Sequence, residues 1–318
     1  MKPLHRIAAI AIAFALPLVA AHAETRITYK SAKTASSYYQ MGVQIAEAVK
    51  AGTQGAAIVT VEESQGSVQN VMEAAMRPGN YVFTSPPALV GSALAGTGPF
   101  KERPSPKFAE IRALFPIPSL TMHFVVRSDS GVTDFAGLAG KKLLIGKGSF
   151  GANEGTKYLE LFGVKDKVEL ADVELSNAVA ALKNGQIDGF VTAGSFPAPN
   201  VMEAAAGTGV NLLSLTDEQV AQTKRTRIVI PANTYTGQAK DVVTTSLPVV
   251  AYTTTGMDDD TAYLMTKTFW EQKDKMGATA AWWKGVDFKL LANIATKVHP
   301  GAVRYYTERG VELDTAHK

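Results

Sequence analysis

The sequence predicts an α/β fold of two lobes joined by crossover strands, and three observations carry that expectation. Apolar runs of strand length alternate with amphipathic segments of helix length along most of the chain. A strand-like run at Pro248 to Thr253 follows a self-contained α/β stretch, as if the chain returned to a lobe it had left. The first residues carry the pattern of a secretory signal, which sets them apart from the folded part.

In that signal, Lys2, His5 and Arg6 precede an apolar run from Ile7 to Ala20, closed by Ala21-His22-Ala23. The run is shorter than the roughly 20 apolar residues of a membrane span and ends in small residues, as a cleavage site does. Residues 1–23 are therefore read as a signal peptide. The first round of βαβ grammar is Arg26 to Tyr29 as strand, Tyr38 to Lys50 as helix and Ile58 to Glu62 as strand. Ser67 is expected to cap a helix striped by Val68, Val71, Met72 and Ala75, ended by Pro78-Gly79, with Tyr81 to Thr84 as the next strand. Met122 to Val126 leads as a strand into a second lobe. There Gly131 to Asp134 opens a short helix, Leu143 to Gly146 is a strand and Ala152 to Phe162 a helix. Ser176 is expected to cap the helix of Val179, Ala180 and Leu182, which Gly185 ends before a strand at Gly189 to Thr192. Asn211 to Leu215 closes that sheet. After Pro248 to Thr253, Asp258-Asp259-Asp260 opens a long helix reaching Lys275, with charges that suit its dipole, and helices at Phe288 to Thr296 and Ala302 to Arg309 complete the chain. The first lobe is thus expected at 24–127 and 248–318, the second at 128–247.

Composition excludes several functions. The formal charge of +3 includes Lys2 and Arg6 of the signal, so the mature chain is near neutral and has no electrostatic case for nucleic acid or an anionic membrane. The absence of cysteine excludes disulfides, cysteine zinc sites, a cysteine nucleophile and a lipid-modified N-terminal cysteine. An exported protein without that anchor diffuses freely, which makes the periplasm the expected compartment. Of the five histidines, His5 and His22 lie in the signal, and His123, His299 and His317 have no ligand-like spacing. No nucleophile, base or metal constellation stands out, so the chain is not expected to be an enzyme.

The candidate binding residues sit where strands end. Ser64 to Asn70 follows a strand, and Gln65, Gly66 and Ser67 offer polar groups and a close backbone approach. Ser36, Ser37, Tyr38 and Tyr39 open the first helix in the equivalent place, and the tyrosines can bond a carboxylate or simply pack. Gly146 to Gly151 is not a Walker loop; it either presents N–H groups to an anion at the next helix or is a structural turn, and Lys147, Ser149 and Asn153 are its candidates. Gly79 to Pro86 echoes Gly185 to Gly194, with small polar residues at both strand ends. The echo adds Ser85, Thr192, Ala193, Gly194 and Ser195, since ligands of open α/β sheets bind at the carboxyl ends of strands. Lys33, Arg112, Arg127 and Lys147 are candidates to neutralise an anion, and only Lys147, beside a glycine turn, stands above the usual solvated charge. Trp270, Trp282, Trp283, Tyr305 and Tyr306 read mainly as core or surface.

Several of these segments resemble the TAXI-type solute receptors of TRAP (tripartite ATP-independent periplasmic) transporters. The resemblance rests on Gln65-Gly66-Ser67-Val68-Gln69-Asn70, Gly96-Thr97-Gly98-Pro99-Phe100, Ile111 to Pro116, Gly185 to Gly194 and His299-Pro300-Gly301-Ala302-Val303-Arg304-Tyr305-Tyr306. It implies a type II periplasmic-binding-protein fold, no cofactor, a membrane permease driven by an ion gradient as partner, and glutamate-like or C4/C5 carboxylate ligands. The chain departs from that family's pattern in its first loop, Ser31 to Ser37, and its third, Lys147 to Glu154. A receptor of the same fold serving an ABC transporter or a sensor kinase is the alternative.

Overall fold

The computed structural model describes residues 24–146, 149–315 and 317, so the signal pattern and Lys147 lie outside the described residues. β1 (Thr25–Lys30), α1 (Ser37–Gly52), β2 (Ala57–Glu62), α2 (Ser67–Ala74) and β3 (Tyr81–Ser85) follow the expected order. α3 (Pro87–Leu94) has no counterpart in the sequence expectation, because PALVGSAL is apolar throughout and lacks a helical stripe. A 17-residue strand, β4 (Ile111–Arg127), then enters the second half of the fold. There follow β5 (Lys142–Leu144), α4 (Phe150–Leu161), β6 (Glu169–Ala171), α5 (Ala178–Lys183), β7 (Gly189–Gly194), α6 (Pro199–Gly207), β8 (Val210–Leu212), α7 (Asp217–Thr223) and β9 (Thr226–Ile230). β10 (Val242–Thr254) returns to the first half, where α8 (Asp259–Thr279) and α9 (Pro300–Glu308) finish the fold.

Three local expectations need correction. Ser67 is the first helical residue of α2, and the cap position belongs to Gly66, whose φ of 114° a side chain would strain. Ser176 lies in a single 3₁₀ turn before α5, which has no side-chain cap. The segment after Phe288 is a 3₁₀ helix, Phe288–Asn293, ending where Ile294 turns extended.

The strands form one curled sheet in the order β2-β1-β3-β10-β4-β7-β5-β6, with β8 on β4 and β9 on β10. β1 pairs in parallel with β2 and β3, and β5 in parallel with β6 and β7. Between these two parallel halves run β4 and β10, antiparallel to each other from Ile111 and Thr254 to Thr121 and Ser246. β4 ends at the expected boundary, Arg127, and serves both halves: its first part joins the β3 side through β10, and residues 121–126 pair with β7. The result is two α/β lobes joined by crossover strands.

Packing holds the crossover strands in place. Phe115 of β4 stacks on Phe269 of α8 at 3.9 Å between centroids, with Trp283 edge-on to the same ring. Tyr306 donates to the Leu114 carbonyl at 2.7 Å and accepts from Trp270 Nε1 at 3.1 Å, so α9 is tied to β4. Trp283, Tyr306 and Tyr305 are buried, as core. His299 caps α9, its Nδ1 accepting from the Gly301 N–H and its Nε2 donating to the Met257 carbonyl.

His123, on β4 beside the crossover, is 1% exposed and donates from Nδ1 to the Thr121 carbonyl. Its Nε2 accepts from the Tyr235 hydroxyl at 2.9 Å, and Tyr235 Oη in turn accepts from the Ala198 N–H at 2.8 Å. Burial pushes the imidazole down to about 4 from 6.5. The unfolded chain therefore binds this proton first, and stability is lost as pH falls from about 6.5 to about 4, by about 3 kcal/mol in total. We expect His123→Gln to show a shallower fall of Tm over that window; equal slopes for the two proteins would contradict a neutral buried His123.

Candidate functional site

The carboxyl ends of β1, β2, β3 and β7 converge where three helices begin. Asn70 builds one side: its buried amide donates to the Ser31 carbonyl at 2.7 Å and the Thr84 carbonyl at 2.9 Å, pinning α2 to the ends of β1 and β3. Ser64 Oγ donates to Ser31 O and accepts from the Gly66 N–H, so the turn before α2 has one conformation. Ser36 caps α1 and Ser149 caps α4, each accepting from the backbone three residues on.

These elements enclose a cavity of about 60 Å³ walled by Lys33, Ser36, Tyr38, Gln65, Gly66 and Ser67 from the first lobe and by Ser149, Phe150, Gly151 and Ala193 from the second. Leu120 of β4 forms part of its wall, with Leu175 and Val191 added from the second lobe. The first-turn N–H groups of Ser67, Val68, Phe150 and Gly151 have no acceptor among the described residues. Helix N-termini carry partial positive charge, so the cavity favours an anion.

Contacts across the cleft hold the lobes together. The Ser195 N–H donates to Ser37 Oγ at 3.0 Å, and both residues are buried. Gly194 lets them meet, since a Cβ there would stand 2.6 Å from Ser37 Oγ. At the mouth, Gln65 Nε2 donates to Glu174 Oε1 at 2.9 Å, and Lys33 Nζ pairs with Glu174 Oε2 at 3.0 Å.

The remaining candidates have other surroundings. Tyr38 lines the cavity, yet its hydroxyl donates to the Pro118 carbonyl at 3.1 Å and burial raises its pKa well above the usual phenol value. Tyr39 is half-buried beside the cavity wall rather than in it. Ser85 is fully buried and donates to the Pro86 carbonyl; Thr192 is buried and accepts from Asn200 Nδ2. Asn153 is exposed on the outer face of α4, away from the cavity. Arg112 donates to the carbonyls of Ala109 and Ile111, and Arg127 pairs with Asp129, both outside the site. Glu174 and the apolar wall of Leu120, Phe150, Leu175 and Val191 escape the sequence reading. A wall residue has the same apolar signature as core, and nothing local marks which loop carboxylate will face Gln65. Among the described residues there is no cluster of three or more metal-ligating side chains.

Two α/β lobes, two antiparallel crossover strands and a cavity between the lobes define the type II periplasmic-binding-protein fold. The chain belongs to the NMT1-like family, whose model matches residues 30–310. Among solved structures it is similar to the periplasmic binding protein BugD, at 13% identity, covering 91% of this chain and 99% of that one with a TM-score of 0.52. The alkanesulfonate-binding protein SsuA from Xanthomonas axonopodis pv. citri, bound to MOPS, matches at 14% identity over 93% and 96% of the two chains, with a TM-score of 0.46. A TRAP periplasmic solute-binding protein from Desulfovibrio salexigens DSM2638, in complex with diglycerolphosphate, matches at 12% identity over 93% of each chain, with a TM-score of 0.44. No helix among the described residues is long and apolar enough to cross a membrane.

Proposed function

We propose that this chain is a periplasmic solute-binding protein that closes its lobes on a small organic acid, glutamate-like or a C4/C5 carboxylate, and delivers it to a TRAP permease of the TAXI type. The observation that carries the reading is a cavity between the lobes, lined by unpartnered helix-start N–H groups and closed by bonds from both sides. The signal pattern at 1–23 supports export, and the hinge falls where β4 and β10 exchange neighbours, near Pro118 to Thr121 and Ser246 to Pro248. About 60 Å³ is space for a carboxylate head group, so the rest of a C4 or C5 acid extends to the mouth and takes Gln65 and Lys33 from Glu174. Three or four hydrogen bonds to a charged group, at about 1.5–3 kcal/mol each, offset the costs of association and reach micromolar affinity, about −8 kcal/mol. Closure follows because the ligand touches both lobes and so binds the closed state better than the open one.

Calorimetry with glutamate and a series of C4 and C5 carboxylates tests the reading. One of them is expected to bind at one per chain, and Gln65→Ala to weaken it by about tenfold or more with Tm unchanged, the loss of one charge-assisted hydrogen bond. Unchanged affinity in Gln65→Ala would remove that loop from the site. NMT1-like membership is also compatible with an ABC receptor; a neighbouring gene for a multi-span permease without a Walker-containing partner supports the TRAP reading.

A further inference from the structure

A second, larger cavity lies on the other face of the crossover strand. Leu120 points into the cleft, while its neighbours Ser119 and Thr121 line a groove of about 600 Å³, as strand alternation requires. Thr121 and Ser246 are register partners on β4 and β10 and form its floor. Thr121 is 1% and Ser246 8% exposed, yet neither hydroxyl has a hydrogen-bond partner among the described residues, and neither is sealed into the packed core. The hydroxyl of Ser119 and the amide of Asn233, also in the lining, make no side-chain hydrogen bond there either. Apolar walls stand beside these polar groups: Phe196 from the second lobe and Trp282 from the first, the indole held by its bond to Gln44 Oε1 at 3.2 Å.

No Lys, Arg, Asp or Glu is among the described residues lining the groove. A charged guest would lose its hydration there without a counter-charge, whereas hydroxyl and carbonyl groups would find partners waiting. The volume falls within the roughly 300–1,000 Å³ of small-molecule sites. We propose that this groove is a second binding site, for an uncharged molecule that lays a ring against Trp282 and Phe196 and hydrogen-bonds the Thr121 and Ser246 hydroxyls. It is separate from the acid-binding cleft proposed above and opposite to it in charge preference. Ser195 belongs to both places, lining the groove while its N–H reaches Ser37 across the cleft.

Phenyl β-D-glucoside, an uncharged ring-bearing polyol, is the probe, and phenyl β-D-glucuronide its anionic match. Both are titrated into the mature chain by calorimetry, with indole N–H resonances as a second readout. The glucoside is expected to saturate with a dissociation constant of about 0.1 mM, usual for a ligand of that size, and to shift the Trp282 indole. Thr121→Val and Ser246→Ala should each weaken it by about three- to tenfold, one neutral hydrogen bond, and the glucuronide should bind at least about tenfold more weakly. Gln65→Ala should leave glucoside affinity unchanged, so failure of the acid-binding cleft and failure of this groove are read separately. No saturation by about 10 mM, well beyond the affinity expected for that size, would overturn the proposal. So would wild-type affinity in both hydroxyl variants, or loss of binding in Gln65→Ala. Thr121→Ala, which removes the same hydroxyl without adding bulk, replaces Thr121→Val under the same criterion if the latter does not fold.

Discussion

Gly194→Ala is expected to weaken acid binding by about ten- to a hundredfold while leaving Tm within a few degrees, because it attacks the closed state rather than either lobe. The added methyl would stand 2.6 Å from Ser37 Oγ, and the flexible mouth residues cannot relieve that, since Ser37 is buried at the start of α1. Relieving the clash in the closed form turns the Ser37 hydroxyl away from the Ser195 N–H and leaves that donor buried and unsatisfied, at about 1–3 kcal/mol against closure. In the open form the methyl faces the cleft and costs little. Calorimetry and X-ray scattering on the same sample check this: affinity should fall and the ligand-induced compaction should shrink with it. Wild-type affinity together with full compaction would show that Ser37 and Gly194 do not meet in the bound state.

Arg225→Met is expected to lower stability by about 3 kcal/mol, the low end of the range for breaking a buried pair because Arg225 keeps a quarter of its side chain in contact with solvent. Arg225 grips Glu154 with two bonds, Nε to Oε2 at 3.0 Å and Nη2 to Oε1 at 2.8 Å, and the Glu154 side chain is 8% exposed. The pair joins α4, whose N-terminus faces the cavity, to the turn between α7 and β9. One turn along α4, Tyr158 bonds Thr245 of β10 at 2.6 Å, so this helix also braces a crossover strand. Removing the guanidinium strands a carboxylate in the interior, and Tm should drop by roughly 5 °C for a chain of this size. Glu154→Leu combined with Arg225→Met should recover most of the loss, since two apolar groups need no partner there. A fall of less than about 2 °C in the single variant would mean that solvent reaches Glu154 and that the pair contributes as a surface bridge does.

The α/β alternation and the return to the first lobe were legible because buried strands and amphipathic helices have distinct periods, and 3₁₀ turns and the apolar α3 were not, because they have none. In the site, Ser36, Gly66, Ser67 and Ser149 could be found from sequence: a polar residue or glycine between a strand and a helix has few structural uses other than capping or close approach. Asn153 fails the same reasoning by one residue, since Ala152 and Glu154 take the inward face of α4 and turn it to solvent. Ser85 and Thr192 lie at strand ends as expected, but their hydroxyls are used within the fold, and sequence does not reveal which hydroxyl finds an internal partner. Ser37 and Gly194 depend on a contact between lobes, and Glu174 on a loop placed by both, so their geometry exists only once the chain has folded.

Native mass spectrometry of the chain, isolated under mild conditions from cells that express it, tests the central claim most directly. The expected spectrum has one intact small organic acid per wild-type chain and none on Gly194→Ala prepared in parallel. An acid retained equally by both proteins, a bound cation in its place, or chemical conversion of the acid on incubation would contradict capture by closure of the two lobes.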